Sequence, residues 1–354
     1  MERLLAHTSK MTNRNSETEP PAKECEELSH LNIGGEIVPD TKIDHIEADT
    51  ELTQDLPDDT ESIDLVHLRI KSMEDLELQR FTKLKSLCLR QNLIESMSEV
   101  DVLPTETMVD IDLYDNKIKH ISSNVKKLTN LESLDLSFNK IKHIKNLETL
   151  AKLENLFFVQ NKISKVENLG KLKSLRNLEL GGNQVHEIDE DSLKGLTKLE
   201  EIWLGKNMIS RLNNLHHLTQ LRILSIQSNR LTKIEGLESL TNLEELYLSH
   251  NYIKKIEGLD KNTKLTTLDI TSNKITKVEN VSHLTNLTDL WLSFNQIDQS
   301  FESLGEELKK LPVFETIYLE GNPIQTRNET TYRRKLVLNL GPSLQKIDAT
   351  YIRG

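Results

Sequence analysis

The sequence predicts an α/β solenoid with a curved parallel sheet on its concave side, short 3₁₀ or helical turns on its convex side, and terminal caps. The first observation is the pattern L-x-x-L-x-L-x-x-N-x-I-x-x-I-x-x-L at 243–259, which recurs from about residue 63 to 325. The second is its length, about 22 residues, which leaves room for little more than a turn of helix after each strand. The third is an asparagine in every copy, at Asn92, Asn116, Asn139, Asn161, Asn183, Asn207, Asn229, Asn251, Asn273, Asn295 and Asn322. Together these define a leucine-rich-repeat solenoid.

Each part of the repeat has a physical role. The L-x-L segment is a short strand whose side chains alternate between the core and the outer face. The asparagine follows where the chain turns, and its amide can both donate to and accept from backbone groups that the bend leaves unpaired. The later Ile and Leu positions fill the core between coils, so stability depends on stacking neighbouring repeats.

The repeats divide the chain into four parts. Residues 1–58 are acidic and proline-containing, and they predict a mostly disordered tail with a short helix near Glu2–Lys10. Residues 59–83 form an N-terminal capping coil, with Leu65, Leu68 and Ile70 in the L-x-x-L-x-L register and Met73 at the asparagine position. Repeats fill 84–325, with helical spacing at 301–312, and residues 326–354 form a C-terminal cap with a helix from Tyr332 and a strand-like edge at 342–348.

The excess negative charge lies outside the repeats. Residues 1–62 hold 16 Asp and Glu against 5 Lys and Arg, whereas residues 63–354 hold 40 of each. We therefore expect no binding to nucleic acid or to an anionic membrane. The absence of a signal-peptide-like segment near Met1 and of a long apolar run predicts an intracellular protein without a membrane span. The tail is either a solvating extension or a segment that binds a partner.

Catalytic motifs are absent from the sequence. It contains no phosphate-binding glycine loop, no G-x-S-x-G, no H-E-x-x-H and no C-x-x-C, and its two cysteines, Cys25 and Cys88, have no partners at metal-ligand spacing. The adjacent His216 and His217 are expected to be solvent-exposed. The sequence therefore predicts a protein that is not an enzyme and has no metal or other cofactor.

The outward positions of the predicted strands combine acids with aromatic residues. From Asn92's repeat onward they hold one base, Arg90, and nine acids: Asp110, Asp112, Asp135, Glu179, Glu201, Glu245, Asp269, Asp289 and Glu320. They also hold Tyr114, Phe157, Trp203, Tyr247, Trp291 and Tyr318, which include both tryptophans of the chain.

Aromatic residues surrounded by charge are typical of protein-binding hot spots. An alternative is that aromatic residues simply suit strands, since Phe138, Phe158 and Phe294 fall at other positions. The acidic strip favours a basic partner surface and disfavours RNA or DNA on this face.

Four segments of the chain resemble the protein phosphatase 1 regulatory subunit 7 family. These segments are 87–92, 227–237, 245–251 and 344–350, and the resemblance extends from about residue 59 to the C-terminus. It implies a non-enzymatic regulator that binds the catalytic subunit of protein phosphatase 1 through the concave face and controls its activity, maturation or location.

The family's contact positions correspond here to Asp135, Phe157, Glu179, Trp203, Asp269, Asp289, Trp291 and Tyr318. The pattern of outward strand positions adds Tyr247 as a further candidate contact. Trp203 stands where the family more often has Phe, and Asp289 where Glu is usual. We further expect a monomer in the nucleus and cytoplasm, with a further phosphatase inhibitor as a candidate third partner in a ternary complex. The alternative function is a generic scaffold for a cytoskeletal or spliceosomal protein.

Overall fold

The computed structural model describes residues 49–352. The predicted helix near Glu2–Lys10 and most of the predicted tail lie outside these residues. The described chain forms one sheet of 14 strands in sequential order, parallel except for the antiparallel last pair. The strands are β1 Ser62–Asp64, β2 Ser86–Cys88, β3 Asp110–Asp112, β4 Ser133–Asp135, β5 Asn155–Phe157, β6 Asn177–Glu179, β7 Glu201–Trp203, β8 Ile223–Ser225, β9 Glu245–Tyr247, β10 Thr267–Asp269, β11 Asp289–Trp291, β12 Thr316–Tyr318, β13 Lys346–Ile347 and β14 Thr350–Tyr351.

Helical segments are few and short, as the repeat length predicts. The 3₁₀ helices are Asp49–Leu52, Glu74–Leu76, Leu78–Arg80, Ser98–Val102 and Ser123–Lys127, and the α-helices are α1 Phe301–Leu308, α2 Pro323–Thr326 and α3 Tyr332–Leu340. Each strand from β1 to β12 buries its middle side chain, and the buried Leu, Ile, Val and Phe of all coils form one continuous core. The leucine-rich-repeat solenoid is therefore confirmed.

The asparagines bridge neighbouring coils as predicted. In Asn251, Nδ2 donates to the carbonyl oxygens of Ile226 at 2.9 Å and Leu248 at 3.0 Å, and Oδ1 accepts from the Leu231 amide at 2.9 Å. The same arrangement recurs along the solenoid, and these side chains are buried. Each asparagine thus satisfies backbone groups of its own turn and of the preceding coil.

The register predicted for the first coil is wrong. Ile63 in β1 pairs with Leu87 in β2, so Ile63 and Leu65 hold the core positions of the strand. Leu68 is 42% exposed, and its amide donates to Asn92 Oδ1, so Leu68 rather than Met73 stands at the asparagine position. Thr60 occupies the first leucine position of this coil, which hides the pattern in the sequence.

The packed chain starts before residue 59, where the sequence places the boundary of the capping coil. Thr53 is buried, and its hydroxyl donates to the Leu76 carbonyl at 2.9 Å. The Arg80 guanidinium donates to the carbonyl of Leu56 at 2.9 Å, to that of Thr53, and to Asp58 Oδ1 at 2.6 Å. These contacts hold residues 49–58 against the first coil.

The C-terminal end closes with the elements that the sequence predicts. Helix α3 packs against α1, with the rings of Tyr332 and Phe301 6.5 Å apart. Arg333 donates to the carbonyl oxygens of Ile347 at 2.9 Å and Thr350 at 3.1 Å, which ties α3 to β13 and β14. The last core face is thereby covered.

Candidate partner-binding face

The outward side chains at the last position of strands β2–β12 form a continuous row. Successive members lie opposite one another in the parallel register, for example Asp135 opposite Phe157 and Asp269 opposite Trp291. We call this set the central row: Cys88, Asp112, Asp135, Phe157, Glu179, Trp203, Ser225, Tyr247, Asp269, Trp291 and Tyr318. It contains every predicted site residue except Asp289, which begins β11 two residues before Trp291.

Four aromatic rings of the central row form a contiguous run. Trp203 and Tyr247 stack with centroids 6.0 Å apart and an interplanar angle of 21°. Tyr247 lies 6.2 Å from Trp291, which meets Tyr318 edge-on at 6.1 Å. The rings of Trp203 and Tyr247 can meet because the central-row residue of the strand between them is Ser225, which is small and fully buried.

Two rings of this run contact an acid at the first position of their own strand. The Tyr247 hydroxyl donates to Glu245 Oε2 at 2.5 Å, and Trp203 Nε1 lies 3.4 Å from Glu201 Oε2. Tyr247 is only 2% exposed, so the structure places it between two indoles rather than at the surface. We therefore interpret Tyr247 as a support for the predicted anchors Trp203 and Trp291, which remain partly exposed.

The indole N–H of Trp291 has a different environment. It is buried and makes no hydrogen bond within residues 49–352. A buried donor without an acceptor carries a desolvation cost. Because this N–H is already withdrawn from solvent, Trp291 offers a partner the apolar part of its partly exposed ring.

The acids of the central row are more buried than the sequence suggests. Asp135 is 8%, Glu179 6% and Asp269 4% exposed. Asp135 accepts from the Ser137 amide at 2.8 Å, and Asp269 accepts from the Thr271 amide at 2.9 Å. The carboxylates of Asp135 and Asp269 are therefore fixed in orientation by the backbone two residues further on.

Burial alters the acidity of these groups. It raises the pKa of Asp135 to about 7, with the neighbouring charge of Asp112 adding to the rise. Burial also raises the pKa of Asp269 and of Asp112. Because a raised carboxyl pKa means an unfavourable charge, Asp135 is poised to gain from a cation placed over it.

The N-terminal end of the central row lies beside Arg90, the one base among the outward strand positions identified from the sequence. Arg90 donates to Asp112 Oδ2 at 3.0 Å, and its guanidinium lies 4.1 Å from the ring centroid of Tyr114. Tyr114 in turn lies 4.8 Å from the ring of Phe138. Arg90 thereby lowers the pKa of Asp112 in opposition to burial.

Other kinds of site receive no support within residues 49–352. No group of three or more His, Cys, Asp or Glu side chains is arranged to hold a metal ion there. No helix in this range is long and apolar enough to cross a membrane. Burial raises the pKa of the Cys88 thiol to about 12, so this cysteine stays protonated at neutral pH.

The repeated strand, asparagine turn and buried core define a leucine-rich-repeat protein. Family models described as leucine-rich repeats match residues 127–142, 173–231, 219–261 and 263–306. Among solved structures, an internalin from Listeria monocytogenes matches with a TM-score of 0.70 at 22% identity, over 87% of this chain and 89% of its own. A leucine-rich-repeat protein from Leptospira interrogans matches with a TM-score of 0.60 at 24% identity, over 76% of this chain and 73% of its own.

Sequence relatives give a narrower assignment. The protein phosphatase 1 regulatory subunit SDS22 of Saccharomyces cerevisiae is 82% identical over 319 residues, which are 90% of this chain and 94% of the relative. The Schizosaccharomyces pombe protein of the same name is 45% identical over 26% of this chain and 27% of its own. The human protein phosphatase 1 regulatory subunit 7 is 50% identical over 14% of this chain and 12% of its own. The chain belongs to the SDS22 family of protein phosphatase 1 regulatory subunits.

Proposed function

We propose that this chain binds the catalytic subunit of protein phosphatase 1 through the central row and Asp289, and thereby controls the activity, maturation or location of the enzyme. The observation that carries the proposal is the 82% identity, over nearly the whole length, with a relative named as a regulatory subunit of that phosphatase. The role is regulatory rather than catalytic, with binding carried by a preformed surface.

The geometry of the central row supports this mode of binding. Trp203, Trp291 and Tyr318 are partly exposed rings, held in place by Tyr247 and by contacts across strands. Rings already fixed before binding lose little conformational freedom in the complex, which favours affinity. Large aromatic side chains with fixed positions are the usual hot spots of protein interfaces.

The acids of the face determine what kind of surface fits it. Asp135, Glu179 and Asp269 lie nearly buried in the central row, and Asp289 is held by the Thr288 hydroxyl at 2.7 Å. Oriented carboxylates favour partner groups that donate hydrogen bonds or carry positive charge. A basic surface on the catalytic subunit would also associate faster at low salt.

Control of the enzyme would then follow from occupation of its surface. A partner covering the row from Asp135 to Tyr318 contacts strands β4–β12 at once. Such coverage would exclude competing regulators from the same surface of the enzyme. It would also stabilise the enzyme conformation that fits the concave face. We propose that the chain acts as a monomer in the nucleus and cytoplasm, with a further phosphatase inhibitor as a third partner in a ternary complex.

Affinity capture tests the partner. Tagged full-length chain is incubated with cell extract, and the captured material is probed for the phosphatase catalytic subunit, for tubulin and dynein, and for spliceosomal proteins. The variants are Trp291→Ala and the control Tyr252→Ala, an aromatic residue 49% exposed outside the sheet face. We expect capture of the phosphatase by wild type and Tyr252→Ala, and weak capture by Trp291→Ala. Capture of cytoskeletal or spliceosomal proteins without the phosphatase would favour the alternative scaffold.

A further inference from the structure

Two phenylalanines occupy a backbone position that is poorly suited to them. The residue before each repeat asparagine has a positive φ, including Phe138 at 54° and Phe294 at 56°. At other repeats this position holds Gln91, Asp115, Gln160, Gly182, Lys206, Ser228, His250, Ser272 and Gly321. Glycine and short polar residues tolerate the left-handed region, whereas a bulky residue there is uncommon.

These phenylalanines also gain little from the core. Phe138 is 40% and Phe294 58% exposed. Phe138 contacts the ring of Tyr114, and the ring of Phe294 lies over the backbone of Gly321, where a Cβ would stand 2.5 Å from Phe294 Cδ1. Singly exposed apolar residues are normal on a protein surface, but a bulky ring held in an unfavourable backbone conformation points to a functional contact.

Both rings border the proposed binding face on the same edge. Phe138 lies three residues after the end of β4, and Phe294 lies three residues after the end of β11. Because these positions are equivalent in their repeats, both rings lie at the same edge of the sheet. Seven strand spacings of about 4.8 Å separate them, which is roughly 34 Å along the sheet. The predicted contacts from Asp135 to Tyr318 extend from β4 to β12, so a partner that covers them reaches both phenylalanines.

We infer that Phe138 and Phe294 are two further contact points for the folded partner of the central row, each entering an apolar pocket of that partner. The inference rests on the proposed function and adds an apolar rim to a face that otherwise presents acids and partly exposed aromatic rings. Continuity with the central row favours one shared partner over a separate ligand, since Tyr114 links Phe138 to Arg90 and Asp112.

The test compares full-length Phe138→Asn and Phe294→Asn with wild type. Gln91→Asn is the control, because Gln91 is exposed, has the same backbone conformation with φ 55°, and follows β2, outside the contacts from β4 to β12. Asparagine suits the left-handed region, so the melting temperature of both phenylalanine variants should be unchanged or higher. Their affinity for purified phosphatase catalytic subunit, measured by calorimetry, should fall tenfold or more, while Gln91→Asn binds like wild type.

Several results would overturn the inference. One is wild-type affinity in both phenylalanine variants while Trp291→Ala loses binding, which would leave the proposed function intact. Another is a marked fall in melting temperature in both, which would assign the rings to the fold. A third is wild-type self-association that both variants abolish in sedimentation, which would make a second copy the occupant. Absence of binding by wild type itself would instead contradict the proposed function.

Discussion

Replacement of Asp135 by asparagine should stabilise the folded chain. Burial and the charge of Asp112 raise the pKa of Asp135 from its ordinary value of 3.8 to about 7. A carboxyl whose pKa is higher in the folded state is destabilising when ionised, so its cost is largest above pH 7 and fades as the pH falls toward 4. Asparagine carries no charge and can still accept the hydrogen bond from the Ser137 amide.

The size of the effect follows from the two pKa values. At about 1.36 kcal/mol per pKa unit, the raised pKa of Asp135 costs the folded chain about 4 kcal/mol at pH 8 and about 2 kcal/mol at pH 5, where the buried carboxyl is mostly protonated. The free energy of unfolding of Asp135→Asn should therefore exceed that of wild type by an amount that grows with pH.

Urea denaturation of the full chain between pH 5 and pH 8 measures this difference. Asp191→Asn is the control, since its side chain is 85% exposed and pairs only weakly with Lys194 at 3.4 Å. We expect the control to match wild type within about 0.5 kcal/mol at every pH. A stability difference for Asp135→Asn that is zero, negative or independent of pH would refute the reasoning.

The remaining predictions concern the solenoid itself. Asn251→Ala leaves the Leu231 amide and the Ile226 carbonyl without their bridging partner, so urea denaturation should show a loss of about 3 kcal/mol; a loss below about 1 kcal/mol would contradict the role of the asparagines. Gly258→Ala places a Cβ 2.6 Å from the Ile234 carbonyl oxygen at a φ of +72°, and should lower stability by about 2 kcal/mol or more in the same assay. Arg80→Ala removes the hydrogen bonds that hold residues 49–58 against the first coil, so the amides of these residues should exchange hydrogen faster, while those of β9 should not change. Unchanged exchange in residues 49–58 would show that these hydrogen bonds are dispensable.

Periodic features of the fold are predictable from the sequence. The buried Leu and Ile positions repeat every 22 residues or so, and the alternation within each strand identifies the central row. Helix α3 at Tyr332–Leu340 is where the sequence places it, because its apolar spacing is local. The first coil is harder to align, since Thr60 stands in place of a leucine.

Properties that depend on neighbouring coils are less predictable. Asp135 and Tyr247 are buried by side chains about 22 residues away in sequence, and pattern alone does not show how deeply. Phe138 and Phe294 fall outside the alternating pattern, so sequence reasoning sets them aside. Their common signal, an aromatic residue directly before the repeat asparagine, has meaning only once the left-handed backbone at that position is known.

Calorimetric titration of full-length chain with purified protein phosphatase 1 catalytic subunit is the most direct test of the proposed function and face. Trp291→Ala should weaken binding by about 2 kcal/mol or more, roughly 30-fold, because it removes a ring of the contiguous aromatic run. Tyr252→Ala, which removes an exposed ring elsewhere, should bind like wild type. Tight binding by wild type and Tyr252→Ala with loss in Trp291→Ala is the predicted result. Equal binding by all three proteins, or no binding by folded wild type, would contradict it.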